Sequence, residues 1–291
     1  MTSVERIVDT NDRTGEGPLW HPDEYLLYWV DIPAGRLYQY DPVDGQHGLA
    51  YETQNGAPIG GFTIEADGAL LLFEDEGRIK RWSPGSSETE LVTRIDADTR
   101  FNDVVADPRG RVFCGTMPSE NQMGDLYRLE KDGTATIVVE DVNIPNGMGF
   151  SCDSKTFYFT ESEAHRIYAF DYDSDTGSIS NQRTFIETTT DDGVPDGMTV
   201  DAEDHIWTAL WNGNRAVRYD PSGKLVDEIS LPARKVSSVI FGGEEYNDLY
   251  LTTAHTGNSR EQEGQGAGAL FRISNLETGG TPEWHSQIAT K

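Results

Sequence analysis

Apolar residues fall along this chain in short runs separated by turn residues, and no stretch keeps a 3.6-residue period. Six runs are rich in β-branched and aromatic residues: YLLYWVD (25–31), ALLLFED (69–75), RVFCGTM (111–117), KTFYFTE (155–161), HIWTALW (205–211) and DLYLTTA (248–254). Each is followed by a second run that alternates polar and apolar positions, such as GRLYQYDP, GRIKRWSP or HRIYAFDYD. Alternation joined by Gly, Asp, Asn and Pro turns predicts hairpins, so the chain is read as all-β.

A third strand precedes each of the six. These strands align without gaps as EGPLWHPDE, GGFTIEADG, NDVVADPRG, NGMGFSCDS, DGMTVDAED and SSVIFGGEE, starting at Glu16, Gly60, Asn102, Asn146, Asp196 and Ser237. The starts are 44, 42, 44, 50 and 41 residues apart. A six-fold repeat of about four strands at this period predicts a six-bladed β-propeller, with residues 1–291 as one domain and the leading strand of each blade lining a central channel. The six first residues then form a ring at one mouth of that channel. Four of them, Glu16, Asn102, Asn146 and Asp196, carry strong oxygen donors. Gly147 and Gly197 let neighbouring backbone crowd the ring, and Met148 and Met198, two residues on, line the channel below it.

Charge narrows the partners. Fifty acidic residues face 23 basic ones, a net charge of −27, and only six of the cations are Lys. The acids are scattered, with no basic footprint for polyphosphate, which excludes nucleic acid as a partner. An acidic surface poor in Lys fits a cytoplasm of high salt, where screening to a Debye length of about 3 Å suppresses self-repulsion. No apolar run reaches the ~20 residues of a membrane span. The start MTSVERIVDT lacks the basic-then-apolar layout of a secretion signal, and two Cys make no disulfide framework, so a cytoplasmic protein is expected.

Two carboxylates and two carboxamides converging from four blades repel unless a positive charge sits among them. A divalent cation answers this. An all-oxygen set suits hard ions such as Ca²⁺, Mg²⁺ or Mn²⁺ better than structural Zn²⁺. Arg100, two residues before Asn102, shares its strand face and points to the same mouth. If the leading strands run away from that mouth, the middle strands return to it, which brings Glu120 in GTMPSE and His255 in TTAHTG to the rim, His255 as an ordinary rim residue.

The motifs GEGPLW, RFND with DPRGRVFCGTM, NGMGFS, PDGMTVD, FGG and GALFRI, in this order over nearly the whole chain, resemble the SMP-30/gluconolactonase/regucalcin family. The resemblance implies one divalent metal (Ca, Mn, Mg, Zn or Fe) and hydrolysis of a small sugar lactone, such as a glucono-, xylono- or arabinono-lactone, to the aldonic acid. It implies Glu16, Asn146 and Asp196 as metal ligands and Asp196 as general base, with Arg100, Asn102 and Glu120 binding substrate. The chain departs from the family at NDVV, where Gly often follows the Asp.

Two alternatives stand beside this reading: a propeller esterase acting on organophosphates or aryl esters, and a non-enzymatic calcium-binding propeller. A pure ion site needs neither Arg100 nor Glu120. Other signals are set aside. DYDSDTG (171–177) has Thr176 where a calcium loop of the helix-loop-helix type needs Gly, and reads as a hairpin turn. GQGAG (264–268) lacks phosphate-loop spacing and reads as a flexible loop. There is no GxSxG or HExxH, so a Ser–His triad and a His-rich metal site are not expected.

Overall fold

The predicted runs become the strands of six four-stranded antiparallel sheets in a computed structural model that describes residues 2–289. The inner strands are Gly15–His21, Ile59–Ile64, Phe101–Ala106, Pro145–Phe150, Val194–Val200 and Lys235–Gly242. The middle strands that follow include Val112–Thr116, Thr156–Glu161 and Ile206–Trp211. Five blades take their four strands in chain order; the sixth takes its outer strand from the N-terminus. There Ser3–Val8 pairs antiparallel with Leu270–Ser274, Ser3 opposite Ser274 and Val4 opposite Ile273.

This pairing locks the last blade to the start of the chain, and the core confirms it. Val8, Leu270 and Tyr250 of blade six share one buried cluster with Trp20, Trp29 and Tyr40 of blade one. Trp20 stacks on Tyr250 at 6.4 Å, nearly parallel. The other clusters also bridge adjacent blades: Leu71 and Phe73 of blade two pack on Phe101 and Val112 of blade three. The core is thus a ring of blade-to-blade interfaces, each filled by aromatic and branched side chains.

All six inner strands carry a β-bulge at the same level. The register shifts between Glu16 and Leu19, Ile59 and Gly61, Phe101 and Val104, Asn146 and Met148, Pro195 and Met198, and Val236 and Ser238. A bulge takes a residue out of the ladder and bends the strand, which re-aims the side chains beside it. It takes Gly60, Asn102, Asp196 and Ser237 out of the ladder, while Glu16 and Asn146 stay opposite Val30 and Thr160 at its edge.

At the other end of the inner strands the turn acids are structural. Asp107 accepts from the backbone N–H groups of Arg109 and Arg111 and pairs with the Arg111 side chain at 2.5 Å. Asp201 does the same for Glu203 and His205 and pairs with Arg218 at 2.6 Å. The C-terminal segment crosses this far end: Gly280 N–H donates to Tyr246, Ser286 N–H to Ile64, and Gln287 N–H to Gly110. Glu283, on this segment, accepts from the Thr199 hydroxyl at 3.1 Å.

Three local expectations meet the structure here. The 171–177 stretch is a hairpin turn closed by Gly177 N–H on the Asp173 carbonyl. The 264–268 loop is packed rather than flexible: Gly266 N–H donates to Pro232, Thr253 Oγ1 donates to the Gly266 carbonyl, and Ala267 is fully buried. One α-helical turn, Arg260–Glu263, appears among the described residues of a chain read as all-β, held by Ser259 N–H on Gln262 Oε1 at 3.3 Å. No helix among the described residues is long and apolar enough to cross a membrane.

Candidate metal centre and substrate cavity

The bulged starts of the inner strands deliver Glu16, Asn102, Asn146 and Asp196 into one cavity of about 440 Å³, together with Arg100. All four are at least nine-tenths buried. The other two ring positions add nothing to it: Gly60 has no side chain, and Ser237 donates to the Gly15 carbonyl at 2.5 Å. The rest of the wall comes from residues at or just before the starts of inner strands, such as Val194 and Ile144, and at or just after the ends of middle strands, such as Trp211, Ser162 and Met117. That is the arrangement expected if the two strand sets meet at one mouth.

Close backbone approach requires the glycines beside the ring. A Cβ on Gly147 would strike the Asp196 carbonyl oxygen, and one on Gly197 would strike the Ser238 side chain. Met148 and Met198 line a small cavity beneath the ring, as read from the alternation. Asp103 joins them there, a third acid next to the ring.

The electrostatics are strained in one direction. Burial, then the charge of Asp103, pushes the Glu16 carboxyl up to about 8, against the pull of Gly17 N–H and Arg100. Burial, then Glu16 and Asp103, raises Asp196 well above the usual carboxylate range. Burial alone lifts Asp103 to about 6. The nearby cation is already engaged: Arg100 Nη1 donates to Asn102 Oδ1 at 2.7 Å and to the Phe101 carbonyl at 2.9 Å. Asn102 Nδ2 donates to Asn146 Oδ1 at 2.7 Å and to the Pro145 carbonyl at 2.8 Å.

Asp196 Oδ1 is buried with no hydrogen-bond partner. An orphaned carboxylate oxygen beside a second buried carboxylate fits a bound cation, whose charge removes both penalties. The donors are oxygens only, carboxylate and carboxamide, which fits a hard divalent ion. Among the described residues no group of three or more His, Cys, Asp or Glu could hold a metal; beside its two carboxylates the cavity offers the carboxamides of Asn102 and Asn146.

Not every expected residue reaches the cavity. Glu120 is exposed in the loop after the middle strand of blade three, and Met117 of the same loop lines the wall instead. His255 is held by backbone, between the Asn11 carbonyl at 3.2 Å and Gly257 N–H at 2.9 Å, as befits a rim residue. Three residues went unread in the sequence: Asp103, Ser162 and Trp211. For Ser162 and Trp211 the signal was available, since each ends or directly follows a middle strand, where the chain returns to the mouth.

A six-bladed propeller with a ring of oxygen donors at one mouth of its channel defines the class. The SMP-30/Gluconolactonase/LRE-like region matches residues 14–255, and the chain belongs to that family. It is 49% identical to pentonolactonase XacC of Haloferax volcanii, over 98% of this chain and 99% of that protein. It is 33% identical to regucalcin of Danio rerio, over 97% of each. Among solved structures, the luciferin-regenerating enzyme superposes with a TM-score of 0.87 at 25% identity, covering 99% of this chain and 100% of the other. A calcium-binding protein, regucalcin, from Agrobacterium tumefaciens gives 0.89 at 24% identity over 97% of each chain, which speaks to the fold alone.

Proposed function

We propose that this protein, acting as one domain, is a divalent-metal-dependent lactonase that opens a small sugar lactone, a pentonolactone foremost, to the aldonic acid. The observation that carries the reading is the orphaned Oδ1 of Asp196 beside Glu16, in a cavity that also offers Arg100 and Asn102. The 49% identity to a pentonolactonase along almost the whole chain supports the substrate class. Two cysteines without a disulfide, Cys114 and Cys152, support a cytoplasmic setting.

Glu16, Asn146 Oδ1 and Asp196 would hold the metal. When bound, the cation supplies Lewis acidity toward the lactone carbonyl. The Asp196 carboxylate accepts a proton as a water oxygen bonds to the carbonyl carbon. The ring C–O bond then breaks, and that proton passes to the departing ring oxygen, which becomes a hydroxyl of the open-chain acid. Arg100 and Asn102 hold sugar hydroxyls and the carbonyl in line with the water. Trp211 presents a flat wall to the C–H face of the sugar; Lys235 Nζ lies 5.7 Å from its ring centroid and is itself fixed by Glu263 at 2.5 Å. Glu120, at the exposed rim, meets only a hydroxyl that projects from the mouth.

Hydroxyl-directed groups set the preference, because a substrate lacking hydroxyls offers no acceptor to the Arg100 N–H groups that Phe101 and Asn102 do not already take. In a proton-release assay with Mn²⁺ or Ca²⁺, kcat/KM for pentonolactones is expected to exceed that for hexonolactones by about tenfold and that for simple aryl esters by about 100-fold or more. Preference for the aryl ester would move the protein to the esterase alternative. Tight Ca²⁺ binding with no hydrolysis of any substrate would leave a binding protein.

A further inference from the structure

We infer that Ser162 is a positioning residue of the metal centre, fixing which face of the Asn146 carboxamide meets the cation and how far Asn146 stands from Asp196. The inference rests on the metal reading above, because it concerns how two of the proposed ligands are held. Ser162 directly follows the middle strand of blade four and is 4% exposed. Its hydroxyl accepts from Asn146 Nδ2 at 2.8 Å and donates to the Pro195 carbonyl at 2.7 Å. Its own N–H is tied to the Ile144 carbonyl at 3.0 Å.

The polarity of this contact is forced from both ends. A carbonyl oxygen can only accept, so the Ser162 proton goes to Pro195, and the hydroxyl lone pairs face Asn146. Asn146 must therefore turn its NH₂ toward Ser162 and its Oδ1 the other way. At the opposite end, a guanidinium can only donate, so Arg100 takes the Oδ1 of Asn102, and Asn102 turns its NH₂ to Asn146 Oδ1. Shape alone does not distinguish the two ends of a carboxamide. Here a single run of donors, Arg100 to Asn102 to Asn146 to Ser162 to the Pro195 carbonyl, fixes both amides across blades three, four and five.

Pro195 is the residue before Asp196. Ser162 thus bonds at once to the side chain of one ligand and to the backbone that carries the next. Without the hydroxyl, the buried Nδ2 of Asn146 loses its acceptor, and a flip that presents NH₂ to the cation is opposed from one end only, by Asn102 Nδ2. Partners that orient metal ligands are worth about 10- to 100-fold in metal affinity.

The test is calorimetric titration of Mn²⁺ into metal-stripped protein for wild type, Ser162→Ala, Ser162→Val and Ser162→Thr, with a thermal melt of each stripped protein to verify folding. The Ala and Val variants are expected to bind Mn²⁺ about 10- to 100-fold more weakly, while Thr, which restores the hydroxyl, stays within about threefold of wild type. The lost turnover of Ser162→Ala should return largely on saturation with Mn²⁺, with KM for the lactone little changed. Wild-type affinity in Ser162→Ala, or an equal loss in Ser162→Thr, overturns the inference. Absence of Mn²⁺ binding by the wild type overturns the metal reading itself and the inference with it.

Discussion

Replacing Asp196 with Asn is expected to lower turnover by about 100-fold or more, and saturating metal will not restore it. The substitution keeps the size of the side chain and one oxygen donor but removes a charge and the group that takes the proton. If Asp196 served only as a ligand, added metal would recover the rate. Asn146→Ala is the control: its side chain has no basic site, so its defect is one of affinity and shrinks as metal is added. Plotting turnover against metal concentration for both variants separates the two roles. Wild-type turnover in Asp196→Asn at saturation would remove the general base from the mechanism.

Transfer from about 3 M KCl to dilute buffer is expected to lower the melting temperature by about 20 °C or to unfold the protein outright. The net charge of −27 leaves most acids without a cation to meet. Those that are paired at the surface gain little from it. Asp67, Asp175 and Glu203 pair with Arg81, Arg109 and Arg218, yet remain 65%, 79% and 61% exposed. Such solvated pairs contribute too little to offset the summed repulsion of an unscreened surface. The blade interfaces are apolar and present little charge to screen, so the surface acids carry the electrostatic response to salt. A melt that is the same in dilute buffer and in molar KCl would contradict this account.

The blades were legible because a propeller repeats its local code: each inner strand begins beside a Gly or small polar residue and each middle strand is an apolar run. Counting between the strand starts at Glu16, Gly60, Asn102, Asn146, Asp196 and Ser237 was enough to place four oxygen donors in one cavity. The ring closure was not legible. Ser3–Val8 and Leu270–Ser274 lie at opposite ends of the sequence, and no periodicity links a polar N-terminal strand to its partner. The bulges were invisible for another reason: an inserted residue does not disturb a gapless alignment when all six strands carry it. Asp103 escaped because strict alternation points it away from Asn102, whereas the bulge at Phe101–Val104 leaves it in the channel beneath the ring. Glu120 shows the converse, since sequence order carried it to the rim but not into the wall.

The most direct test of the central claim is a titration of Mn²⁺ into metal-stripped wild type, with bound metal and the rate of acid release from a pentonolactone measured on the same samples. The account predicts no hydrolysis above background in the stripped protein, a rate that rises in proportion to occupancy of one site per chain, and a β-sheet circular dichroism signal unchanged throughout. Full activity in the stripped protein, or a rate indifferent to occupancy, would contradict it.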